Sequence, residues 1–73
     1  MSIMTKEEKR MMNSLRTAAV FKQGQRIRTL AEVGYGECTD KNIKRASSFM
    51  QKLSRKRQVG YYPESKVWML WTK

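Results

Sequence analysis

Within the stretch MTKEEKRMMNSLRTAAVFKQG, apolar residues recur at Met11, Met12, Leu15, Ala18 and Ala19, the spacing of one face of a helix. Thr5 and Glu8 stand three apart at its start, as in a capping box, and Glu7 and Glu8 put negative charge where the helix dipole favours it. These signals predict a first helix over about residues 5–23, with Gly24 as its stop. Val20 and Phe21 project off the apolar stripe, toward a fraying end or a second chain.

The segment QRIRT is long enough only for one short strand around Ile27. TLAEVGYG then repeats the capping spacing with Thr29 and Glu32, which predicts a second helix over about residues 30–35, with Leu30 and Val33 facing inward and a stop near Gly34 or Gly36. Thr39 is the expected N-cap of a third helix, over about residues 40–56, with Asp40 in its first turn. Its core stripe is Ile43, Ala46, Met50 and Leu53, with Phe49 at the margin. Lys41, Lys44, Arg45, Ser48, Lys52 and Arg55 fall on the opposite side, and none of them is acidic or apolar.

Beyond it the period changes from helix to strand. QVGYYPESKVWMLWTK is rich in β-branched and aromatic residues around the turn-forming PES, with Pro63 suited to position i+1 of a type I turn. This predicts a hairpin over about residues 59–72. Strict alternation puts Trp68 and Leu70 on one face and Val67, Met69 and Trp71 on the other. The second face then meets another part of the chain or forms a dimer surface. Tyr61, Tyr62, Trp68 and Trp71 read as the mass that seals a small core, in preference to a platform for unpaired bases.

Composition narrows the function. At 73 residues the chain makes one domain, which buries only about 60% of its unfolded surface. Cys38 has no disulfide partner, and the lack of histidine excludes a Cys/His zinc cluster. Lys6, Glu7, Glu8, Lys9, Arg10 and Arg16 interrupt any secretory apolar run, and no stretch approaches the ~20 apolar residues of a membrane span. A cytoplasmic location is expected. No paired carboxylates, cysteine nucleophile motif or phosphate-cradling glycine loop points to an enzyme, so no catalytic residue, cofactor, metal or small-molecule ligand is expected. The net charge of +10 points instead to a polyanionic partner.

With the first helix in front of it, LAEVGYGECTDKNIKRASSFMQKLSRKRQVGYYPESKVWMLWT resembles a winged helix-turn-helix DNA-binding domain of the small stand-alone phage or prokaryotic regulator type. Thr29-Leu30-Ala31 resembles the opening of that family's second helix. Ala46, Met50 and Leu53 resemble the inward positions of its recognition helix, Val59 the start of the wing, and Trp68, Leu70 and Thr72 the closing strand. Order and spacing carry the likeness, which spans nearly the whole chain. It implies an α+β winged helix: three helices with a short strand and a C-terminal β-hairpin wing. It also implies a transcriptional regulator that inserts the third helix into the major groove of double-stranded DNA.

The expected contacts are Lys41, Asn42, Lys44, Arg45, Ser48, Gln51, Lys52 and Arg55 on that helix, with Lys66 of the wing as a minor one. A groove about 12 Å wide admits a helix, Arg or Lys can reach guanine O6 and N7, and Ser48 and Gln51 can add positioning hydrogen bonds. A homodimer on a palindromic site is the usual remedy for the small contact area of one module. Against this stand a merely solvated basic helix side, a protein-interaction module that binds an acidic partner in a larger assembly, and an RNA- or ribosome-associated basic domain.

Overall fold

A computed structural model of the chain describes residues 4–71. Helix α1 runs Lys6–Val20 and opens on the full capping box: the Glu8 N–H donates to Thr5 Oγ1 at 3.2 Å, and the Thr5 N–H donates to Glu8 Oε1 at 3.0 Å. Glu7 in the same turn has its carboxyl held below the usual range, first by a hydrogen bond from its own backbone N–H and then by the Thr5 hydroxyl, with Arg10 and Lys6 adding smaller pulls.

The helix ends earlier than its sequence suggests. Its last residue is Val20, and Lys22 takes the left-handed conformation at φ 56° while its N–H donates to the Ala19 carbonyl. Gly24 is therefore not the stop. It lies where the chain passes the hairpin so closely that a Cβ would meet Met69 Cγ at 2.5 Å and the Trp68 carbonyl oxygen at 2.8 Å.

The short strand expected around Ile27 is a single antiparallel bridge just before it. Gln25 and Trp68 exchange both backbone hydrogen bonds, at 2.9 and 2.8 Å. Ile27 is already the first residue of α2, Ile27–Tyr35, whose N-cap is Arg26 and not Thr29. Arg26 makes no side-chain cap bond, and the second Thr/Glu pair forms no capping box. Packing then selects an inward stripe that includes Ile27 and leaves out Val33. Ile27, Leu30, Ala31 and Gly34 share the inward face, at the i, i+3, i+4 and i+7 positions of one stripe, and Val33 is left at 38% exposure. Gly34 lets α1 come close, since a Cβ there would stand 2.9 Å from Met11 Cγ. The helix stops at Gly36, whose φ of 86° suits a residue without a Cβ.

Helix α3 spans Asp40–Arg55, and Thr39 caps it as expected, its Oγ1 accepting from the Asn42 N–H at 3.1 Å. Ala46, Phe49, Met50 and Leu53 are buried, and Ile43 packs against them from the edge. Beyond the helix, Arg57 at φ 59° reverses the chain into the hairpin. Strands β1 (Val59–Tyr62) and β2 (Val67–Leu70) pair antiparallel, from Val59 opposite Leu70 to Tyr62 opposite Val67. Lys66 closes the turn at φ 56°. The predicted end of the second strand at Thr72 lies outside the described residues.

Side-chain alternation in the hairpin follows the sequence. Trp68 and Leu70 pack on the core, while Val67 and Met69 are half-buried against Gly24, so the chain itself meets that second face. Trp71 lies with its indole across Gly60 and stays 54% exposed. Tyr61 and Tyr62 are also exposed, so of the four aromatics expected to seal the core only Trp68 packs against it.

The core joins every element. Met11 and Leu15 of α1, Leu30 of α2, Met50 of α3 and Val59 of β1 are fully buried, each contributing about 1.5–3 kcal/mol of burial free energy. α1 packs on α2 and β2, α2 on α3, and α3 on β1. The fold is α+β, three helices and a two-stranded antiparallel hairpin. Among the described residues no helix is long and apolar enough to cross a membrane.

Candidate nucleic-acid interface

The same 3.6-residue period that anchors α3 through Ala46, Phe49, Met50 and Leu53 fixes what its other side presents. Lys41, Lys44, Arg45, Ser48, Gln51, Lys52 and Arg55 are all exposed and follow one another as a single stripe. Five of these seven carry positive charge, over ~21 Å of helix at about 1.5 Å per residue. Lys56 and Arg57 extend the exposed charge past the helix end. Lys52 and Arg55 also sit in the last turn, where the dipole favours cations, so they are compatible with the helix as well as with an anion.

Two of the expected contacts do not join the stripe. Asn42 is half-buried, and its side-chain amide donates to the Glu37 carbonyl at 3.0 Å. With its backbone N–H held by Thr39, it ties the α2–α3 turn together. Lys66 lies at the hairpin turn and lines a different cleft, with Arg26, Ile27, Arg28 and Tyr61.

The rim of the stripe includes residues that the sequence did not mark for binding. Lys44, Arg45, Ser48 and Lys52 line a shallow depression with Tyr35 of α2 and Glu8 of α1. The Tyr35 hydroxyl is pushed above its ordinary pKa of 10.0, mainly by burial and next by Glu8, against the opposing pull of Arg45. It keeps its proton at neutral pH. Glu8 is the acid on this rim, and its carboxylate is engaged with the Thr5 N–H. Tyr35 carries one signal in sequence, as an aromatic at the end of a short helix just before a basic one. Arg26 and Arg28 flank Ile27 at alternate positions, and a strand there would hide their place at the start of α2.

Among the described residues no cluster of His, Cys, Asp or Glu could hold a metal ion, and Cys38 is exposed in the α2–α3 turn. What the arrangement offers chemically is a row of guanidinium, ammonium, hydroxyl and amide donors on one side of a helix anchored in the core. Such groups suit phosphate oxygens and the acceptor-rich edges of bases. No protein-family model, no curated protein and no solved structure gives a significant match to this chain.

Proposed function

We propose that this chain is a DNA-binding protein of winged-helix type, a transcriptional regulator that lays α3 in the major groove. The observation that carries the reading is the exposed stripe of α3, continuous from Lys41 to Arg55 and free of acidic and apolar side chains, on a helix whose opposite side is locked in the core. An α-helix about 10–12 Å across fits a groove about 12 Å wide. In this reading Lys41, Lys44, Arg45, Lys52 and Arg55 neutralise phosphates and reach guanines, while Ser48 and Gln51 position the helix. The bridge of Gln25 to Trp68 adds support, because it sets the first connection beside the hairpin as a winged helix requires.

Selection of bound fragments from a random duplex pool tests the proposal. A recovered consensus is the expected result; a pool that stays unenriched overturns sequence-specific recognition. A homodimer, for which exposed Val20 and Phe21 offer apolar surface, would show as a palindromic consensus and as a concentration-dependent mass in sedimentation. The same two side chains favour the second reading, an interaction module that docks on another protein. Enrichment of no duplex together with firm binding to an acidic protein would establish that alternative.

A further inference from the structure

Where the start of α2 meets the hairpin, Arg26, Ile27, Arg28, Tyr61 and Lys66 line an open cleft of about 380 Å³. That volume falls within the ~300–1,000 Å³ of small-ligand sites. Three of the five lining residues are cations and none is an acid. Tyr61 is 47% exposed, and its ring leans on Trp68 with centroids 5.0 Å apart and planes at 53°. Trp68 in turn packs on the core and is held by its bridge to Gln25, so the tyrosine ring is braced from behind. An exposed aromatic ring backed by a second ring, in one cleft with three cations, is the combination that stacks a base and holds its phosphate.

We propose that this cleft is a second nucleic-acid site, one that takes a nucleotide of an unpaired strand. The base lies on Tyr61, and the phosphate sits among Arg26, Arg28 and Lys66. A paired base inside a duplex is covered on both faces by its neighbours and cannot offer one to the ring. An acidic peptide would satisfy the cations and leave the ring unused. The site is separate from the α3 stripe and does not rest on duplex binding there. DNA and RNA share the chemistry involved, a planar base with a phosphate.

The 73-residue chain is titrated against a fluorescent eight-nucleotide thymidine strand, an abasic strand of the same length, and the uridine strand. The abasic strand keeps the phosphates and lacks the bases. The expected result is that the thymidine or uridine strand binds about tenfold more tightly than the abasic one, in line with one stacked base. Tyr61→Leu should erase that preference and leave abasic binding as it was, whereas Tyr62→Leu, on the neighbouring exposed position, should keep it. Arg26→Ala with Arg28→Ala should weaken all three strands together. Whichever base-bearing strand is preferred identifies DNA or RNA as the source. Equal binding of base-bearing and abasic strands overturns the proposal, as does an equal loss of preference in the two tyrosine variants.

Discussion

The Arg45 guanidinium lies 5.8 Å from the centre of the Tyr35 ring and over its face, so the last turn of α2 and the second turn of α3 meet in a cation–π contact. At an exposed site such a pair contributes about 0.5–1 kcal/mol. Its larger consequence is order. A long side chain on the rim of the basic stripe is held in place before any ligand arrives, which reduces the entropy that binding must remove from it.

Tyr35 makes stability fall at high pH. Its folded pKa stands above the ordinary 10.0, so its contribution is fully present below that pH and is lost as pH rises through the folded value. Between about pH 8 and pH 11 the melting temperature of Tyr35→Phe should fall less steeply than that of the unaltered chain. Parallel melting curves across that range would show that the hydroxyl is not perturbed by its surroundings.

The position of charge should matter more than its amount. Lys41, Lys44 and Arg45 open α3, whereas Lys6, Lys9 and Arg10 lie exposed on α1. Changing either trio to alanine removes the same charge. The α3 variant should lose both affinity and sequence preference, at about 1–3 kcal/mol for each base contact removed. The α1 variant should lose modest affinity and keep its preference, once circular dichroism has shown both to be folded. Identical losses would mean a diffuse polycation.

If the five cations of the α3 stripe meet about five phosphates, log K should fall with log salt with a slope of about −4 to −5. Fluorescence anisotropy at several salt concentrations measures it. Binding to duplex that is weaker than micromolar at low salt would refute the DNA reading.

Two glycines separate crowding from backbone strain. Gly24→Ala would drive a Cβ against Met69, Val67 and the Trp68 backbone oxygen, the last of which cannot swing aside, so thermal unfolding should show about 1–3 kcal/mol of destabilisation. At Gly36 nothing lies within 4 Å, and only the φ of 86° resists a side chain. Gly36→Ala should cost about 1–2 kcal/mol, and Gly36→Asn less, since asparagine tolerates the left-handed region. A Gly24→Ala variant as stable as the original chain would remove the claim of close approach.

Helices α1 and α3 are legible in the sequence because their information is local. Thr5 and Glu8 reach each other across a single turn, Thr39 reaches Asn42 in the same way, and the apolar period decides which side is buried without reference to the rest of the fold. Hence the stripe from Lys41 to Arg55 follows from the helical period alone. The period also sets Asn42 apart from it, on the side of Ala46, Phe49 and Leu53 at i+4, i+7 and i+11; what only the folded path supplies is the partner of its amide, the Glu37 carbonyl in the preceding turn.

What the amino-acid sequence determined by itself is the three helices and the hairpin, the basic side of α3 and the alternation along the hairpin strands. Tertiary structure decided the rest through contacts between distant residues. The bridge from Gln25 to Trp68 ends the extended segment before Ile27, so α2 starts early and Thr29 has no end to cap; packing on α1 and α3 then takes the stripe of Ile27, Leu30, Ala31 and Gly34 and leaves Val33 outward. The same approach brings Gly24 under Met69 and sets Arg26 and Arg28 beside Tyr61 and Lys66, a cleft between segments far apart in the chain. No local period encodes such a meeting, because it depends on how β2 packs on α1 and closes the core.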